Sequence, residues 1–84
     1  MAEIKIYTTN YCPYCKKAKA LLGELGVNFE EIDITENEDD AMDKLIEKTG
    51  RSTVPQIFIN DKFIGGCDDM FALHRSGELK ELIK

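Results

Sequence analysis

The sequence predicts an α/β fold with the element order β-α-β-α-β-β-α, a mixed four-stranded sheet flanked by helices on both faces. Three observations carry this. Strand-like segments stand at 3–8, at 27–34 and after Pro55; helical spacing of apolar residues fills the two intervals between them; and Asn60-Asp61 makes a short turn between the last two strands. Pairing is parallel where a helix intervenes and antiparallel at the hairpin.

The segment "EIKIYT" at 3–8 alternates Ile4 and Ile6 with Glu3 and Lys5, the period of a strand with one buried face. From Pro13 onward Ala18, Leu21, Leu22 and Leu25 fall at helical spacing. Proline suits a first turn, where its missing N–H costs nothing, and Gly26 is a fitting stop. Cys12 therefore stands at a helix N-terminus. "VNFEEIDI" at 27–34 reads as the second strand, although Glu30 and Glu31 break its alternation. A second helix is expected from about Asn37 to Thr49, with Ala41, Met42, Leu45 and Ile46 inward, acidic residues in its first turn and Gly50 past its end. "QIFIN" and "KFIGG" form the hairpin around Asn60-Asp61. Asp68 is expected to cap a short helix carrying Phe71, Ala72 and Leu73, and "GELKELIK" closes the chain with Leu79, Leu82 and Ile83 on one helical face.

With 84 residues there is room for one domain, 1–84, around one small core. Hydrophobic residues are 43% and charged residues 32% of the chain, the balance of a soluble globular protein. No apolar run approaches the roughly 20 residues that span a bilayer, and "MAEIKIY" has neither the basic nor the apolar region of a signal peptide, so no membrane association is expected and the cytoplasm is the expected compartment. The net charge of -5, with acidic residues massed in "TENEDDAMDK" at 35–44, repels a phosphate backbone and argues against nucleic acid as partner. That acidic run reads as a solvated loop and helix start. Three cysteines are an odd and small number for a secreted disulfide scaffold, which strengthens the cytoplasmic reading.

In a reducing compartment a close cysteine pair is more often catalytic or metal-binding than a permanent bridge. An attacking sulfur must be a thiolate, whereas a free cysteine, with a pKa of roughly 8.5, is mostly protonated at neutral pH. The helix N-terminus favours negative charge at Cys12, and Lys16 and Lys17 are candidates to add to it. Cys15, inside the first turn, is expected to be more buried, closer to an ordinary thiol, and able to attack a mixed disulfide on Cys12. Pro13 stiffens the turn between them. Tyr11 and Tyr14 flank the sulfurs, either as half-exposed aromatics or as flat surface for a thiol compound. A metal site would draw on Cys12, Cys15, Cys67 and His74, but no second C-x-x-C is present and no metal is expected; His74 reads as a surface or half-buried histidine. A C-x-x-C directly after the first strand of such a unit is the pattern of a thioredoxin-like redox motif.

With "CPYC" at 12–15 placed, "TVPQIFI" at 53–59 and "GGCDD" at 65–69 complete a pattern that resembles the dithiol glutaredoxins over essentially the whole chain, and with them the thioredoxin-like fold. The resemblance implies that Pro55 follows a cis peptide bond beside the redox cysteines, and that Val54 offers its backbone N–H and C=O to the cysteine part of glutathione. It implies that Tyr14, Thr53 and Gly66 belong to the same glutathione site. The N–H groups of Cys67 and Asp68 would receive the γ-glutamyl carboxylate, and the Asp68 carboxylate its α-amino group, with Asp69 a lesser candidate. Gly65 and Gly66 allow close backbone approach, and the Cys67 thiol is incidental. One position departs from the pattern: Thr9 stands where many relatives carry a lysine for the glycine carboxylate of glutathione, leaving Lys16 or Arg51 as candidates to replace it.

The activity implied is that of a glutathione-dependent thiol–disulfide oxidoreductase with Cys12 attacking and Cys15 resolving, no bound cofactor, and glutathione as reducing co-substrate. Glutathionylated or disulfide-containing proteins are the implied clients, ribonucleotide reductase among the candidates, and a monomer is expected. Two alternatives stay open. One is a redoxin served by thioredoxin reductase, against which "GGCDD" counts; the other is an iron–sulfur cluster carrier in which two chains share a cluster through Cys12 and glutathione, against which Pro13 and Cys15 count.

Overall fold

The structure is a computed structural model and describes residues 2–83; Met1 and Lys84, the ends of the expected domain, lie outside the described residues. Strand β1 (Ile4–Thr8) buries Ile4, Ile6 and Thr8 on one face, as its alternation predicts. It lies inside a mixed sheet of order β2-β1-β3-β4. Helix α1 (Pro13–Glu24) carries the chain back to β2 (Glu30–Asp33), which pairs parallel to β1 with Lys5 opposite Glu30 and Tyr7 opposite Ile32. Strands β3 (Gln56–Ile59) and β4 (Lys62–Gly65) complete the sheet antiparallel. Asn60 and Asp61 both adopt positive φ, 52° and 66°, the backbone of a tight two-residue hairpin turn.

Helix α2 (Glu38–Thr49) covers one face of the sheet, and α1, α3 (Cys67–Ser76) and α4 (Glu78–Ile83) cover the other. The larger core gathers Ile4, Ile6, Leu21, Leu22, Ile57, Ile59, Met70 and Leu79. The smaller one holds Ile34, Leu45 and Phe58, with Tyr7 and Phe63 packed around the Phe58 ring at 5.6 and 5.3 Å between centroids. All of β3 is buried because both cores close on it.

Four expectations change. The second strand starts at Glu30 and not at Val27, because β1 begins only one residue before the Lys5–Glu30 pair and leaves the earlier residues nothing to bond; Val27 and Phe29 pack on the core without pairing. A 3-10 turn at Thr35–Asn37, anchored by the Thr35 N–H donating to Asp33 Oδ1 at 2.9 Å, precedes α2 and delays its start to Glu38. Ile46, expected inward, is 41% exposed: α2 has only the sheet to pack on, and Leu45 takes that line while its neighbour is turned about 100° away. Asp68 is not the cap of α3. The helix begins two residues earlier, with Gly66 as N-cap and Asp68 within the first turn. The predicted element order is otherwise observed, with the last helical region divided at Gly77, whose φ of +85° ends α3 and opens α4; Leu79 is buried there, and Leu82 and Ile83 pack on the core.

Leu22 is fully enclosed between α1 and the sheet, so Leu22→Ala should cost about 2–5 kcal/mol of stability, read from the midpoint of urea unfolding at unchanged slope.

Candidate active site

The site is assembled at one end of the sheet by three loop-to-element junctions. The first is the head of α1. Cys12 is its N-cap, in extended conformation, and Pro13 occupies the first turn. The Cys15 N–H donates to Cys12 Sγ at 3.3 Å, so the sulfur takes the place a capping oxygen would fill. The Cys12 thiol also reaches the Val54 carbonyl at 3.7 Å. Cys12 is 8% exposed, whereas Cys15 has no exposed surface at all.

That difference is chemical as well as steric. Burial, and next its hydrogen bond with Cys12, pushes the Cys15 thiol up to about 12, so it is further from a thiolate than the ordinary thiol the sequence leads one to expect. The reason is that Cys15, alone in the first turn of α1, faces the core, while Pro13, Tyr14 and Lys16 are exposed. Burial also raises the Cys67 thiol, and the nearby Asp68 adds to this.

The second junction is the loop before β3. The Val54–Pro55 peptide bond is cis, and Pro55 is buried. Gln56 holds this loop from below: its side-chain amide, almost wholly buried, donates to the carbonyls of Arg51 at 2.8 Å and Thr53 at 3.1 Å, and its oxygen meets the Thr49 hydroxyl at 2.9 Å. No motif reasoning marks Gln56 as part of the site. The available signal is a polar residue at the start of a strand whose other members are all apolar.

The third junction is β4 to α3. Gly65 has a φ of +116°, and a Cβ there would fall 2.2 Å from Asp69 Oδ2; a Cβ on Gly66 would meet the Pro55 carbonyl at 3.3 Å. The glycine pair thus lets α3 approach both its own Asp69 and the proline loop. Asp69 Oδ2 accepts the Gly66 N–H at 2.9 Å and an Arg51 guanidinium N–H at 3.0 Å, tying the second junction to the third. These two partners, Gly66 foremost, hold the Asp69 carboxyl below its usual range. Cys67 and Asp68 are the first two residues of α3, and their N–H groups have no partner within the helix.

Between the junctions lies a cavity of about 270 Å³. Its lining brings together Tyr14, Thr53, Val54, Pro55, Gly66, Cys67 and Asp68, all residues expected from the sequence, with Asp69, the lesser candidate, and Arg51, a candidate for the missing lysine's place. Cys12 touches its Val54 wall. Tyr11 points elsewhere, its hydroxyl donating to Glu38 at the head of α2, so of the two flanking tyrosines Tyr14 alone lines the cavity. Thr9 is buried and uncharged. Of the two candidates to supply the missing cation, Arg51 lines the cavity and Lys16 does not. Lys17 lies with its Nζ 5.5 Å from the Phe71 ring centroid. His74, half-buried on α3, is not in the lining, and among the described residues no three His, Cys, Asp or Glu side chains gather as metal ligands.

Two results are expected from this geometry. Gly65→Ala forces a side chain into both a left-handed backbone and the Asp69 carboxylate, and should cost about 1–3 kcal/mol in urea unfolding. Because the folded Asp69 carboxyl titrates below its unfolded value, the stability it contributes is complete above the ordinary Asp range and is lost as pH falls through the depressed folded value. Asp69→Asn should therefore flatten the acid limb of the curve of Tm against pH and leave the alkaline limb in place.

Comparison with known proteins agrees with this geometry. The glutaredoxin family model matches residues 4–64. Glutaredoxin 3 of Escherichia coli strain K12 is 50% identical over 84 residues, the whole of both chains. A glutaredoxin of Pseudomonas aeruginosa is 46% identical over 83 residues, 99% of this chain and 98% of that one. Among solved structures, a buckwheat glutaredoxin–glutathione complex superposes with a TM-score of 0.91 at 34% identity, over 98% of this chain and 76% of that one. The solution structure of glutaredoxin from Brucella melitensis gives 0.88 at 45% identity, over 100% and 90%. With its C-P-Y-C at the head of α1, its thioredoxin-like sheet and full-length relatives of this identity, the chain belongs to the glutaredoxin family of thiol–disulfide oxidoreductases.

Proposed function

We propose that this chain acts as a dithiol glutaredoxin in the cytoplasm, as one monomeric domain, reducing glutathione mixed disulfides and protein disulfides with glutathione as electron donor. The observation that carries the reading is the cavity whose lining holds Tyr14, Thr53, Val54, Pro55, Gly66, Cys67 and Asp68 together, with the Cys12 sulfur against its Val54 wall. The known complex of a buckwheat relative with glutathione supports the same choice of co-substrate.

In this reading glutathione lies extended along Val54, pairing with its backbone as an added strand would. Its γ-glutamyl carboxylate meets the N–H groups of Cys67 and Asp68 at the head of α3, and its amino group meets the Asp68 carboxylate. Arg51 faces the glycine carboxylate in place of the lysine that Thr9 replaces. The Cys12 thiolate attacks the glutathione sulfur of a mixed disulfide, the client leaves as a thiol, and a second glutathione frees Cys12. For a protein disulfide, Cys12 attacks first, Cys15 displaces the client, and glutathione then reduces the Cys12–Cys15 bridge in two steps. Clients are glutathionylated or disulfide-bonded proteins, with ribonucleotide reductase a candidate to assay. No helix among the described residues is long and apolar enough to cross a membrane.

The deciding assay reduces a glutathionylated peptide with NADPH, once through glutathione and glutathione reductase and once through thioredoxin reductase. Turnover is expected with the first and should survive Cys15→Ser; turnover only with the second would replace glutathione by another donor. Asp68→Ala should raise the KM for glutathione about tenfold, the worth of one charge-assisted contact, with unfolding unchanged because Gly66 and not Asp68 caps α3. A glutathione dependence that does not move would remove Asp68 from the site.

A further inference from the structure

Behind Cys15, away from the cavity, a second polar group crosses from α1 to β2. Lys19 follows Cys15 by one helical turn, the spacing at which side chains on a helix are neighbours. Its Nζ lies 2.7 Å from Glu31 Oε2, and the same oxygen accepts the Thr8 hydroxyl at 2.7 Å. Thr8 is wholly buried at the end of β1, where the chain turns toward Cys12. The Lys19 and Glu31 side chains are 30% and 35% exposed, so the pair is partly shielded and fixed by a third, buried partner, unlike a free surface ion pair. The proposed glutathione cycle gives this arrangement no task.

The resolving step does. A cysteine enclosed by the core and facing the Cys12 sulfur must lose a proton before it can attack. The influences that favour its thiolate against burial are the Thr9 backbone and the Lys19 ammonium. The titratable groups acting on Cys15 are Cys12, the N-cap of α1, and Lys19; Glu31 and Asp33 of β2 act on Lys19, and Cys67, at the start of α3, interacts with Cys12. Lys19 is the cation among them, and Glu31 both holds it and offsets its charge.

We infer that Lys19, fixed by Glu31 and Thr8, is the positioning residue of the resolving step, setting how readily Cys15 gives up its proton; the inference rests on the dithiol cycle proposed above. In that step Cys15 releases a proton to solvent and its thiolate attacks the Cys12 sulfur of the Cys12–glutathione disulfide. The Cys12–Cys15 bond forms as the Cys12–glutathione bond breaks, and glutathione leaves with the electron pair and takes up a proton. No outside oxidant or reductant enters.

The signs of two substitutions separate an electrostatic role from a structural one. Removing the charge of Lys19 disfavours the Cys15 thiolate, whereas removing the charge of Glu31 leaves Lys19 unopposed and favours it. The test mixes the reduced full chain with oxidised glutathione and follows, across a pH series, first formation of the Cys12 adduct and then release of the second glutathione. Lys19→Met should slow the second phase about two- to fivefold at neutral pH, the worth of one partly exposed charge, and move its midpoint up, and Lys19→Arg should restore it. Glu31→Gln should move the midpoint down and quicken the phase. A wild-type profile in Lys19→Met, or shifts of the same sign in Lys19→Met and Glu31→Gln, would overturn the inference. A wild-type chain that forms no adduct on Cys12 would fail at the first phase, and with it the functional reading itself.

Discussion

The antiparallel pairing of β1 with β3, with Tyr7 opposite Gln56, is the constraint on which the site depends. It brings the end of β1, and so the loop to Cys12, beside the start of β3, and so the Val54–Pro55 loop. Because β4 runs antiparallel to β3, it ends at the same edge with Gly65 opposite Ile57, and α3 starts there. A register shift between Ile57 and Phe58 lets the extra residue of β4 turn the chain out of the sheet just before the glycine pair. Three segments far apart in the chain thereby present two helix N-termini and one extended loop to the same cavity.

Within that frame the two cysteines of one motif receive different surroundings from a single helical turn. Cys12, as N-cap, has the Cys15 N–H aimed at its sulfur and the cavity wall beside it. Cys15, three residues on, is buried, as are Ala18, Leu21 and Leu22 further along α1, and has burial working against its thiolate. The proposed cycle matches this difference: an incoming disulfide meets Cys12, and Cys15 acts only on what is already attached to it. The group inferred to ease this second act is Lys19, one turn further along α1 and held by Glu31 and Thr8.

The shape of the cavity is held by polar contacts rather than by its own apolar lining. Gln56 satisfies the carbonyls of Arg51 and Thr53 from inside the sheet, where leaving them unpaired would cost about 1–3 kcal/mol apiece. Asp69 ties Gly66 to Arg51 across the mouth. Gln56 acts only through the backbone it holds, so a search for side chains with chemistry of their own does not find it.

The sequence by itself determined the element order, the hairpin at Asn60-Asp61, the place of Cys12 at a helix head and, through three short motifs, the family and the residues that line the cavity. These are local properties: periodicity, turn chemistry and motif spacing are read from neighbours in the chain. Tertiary structure decided the rest, because each remaining point depends on a partner distant in sequence. Glu30 begins β2 only because β1 offers it a register, and Ile46 stays exposed because Leu45 has taken the line that meets the sheet. Gly66, and not Asp68, caps α3, since the glycine pair lets the helix start two residues early against Pro55 and Asp69. Cys15 departs from an ordinary thiol because enclosure by the core, a property of the whole fold, sets the cost of its charge.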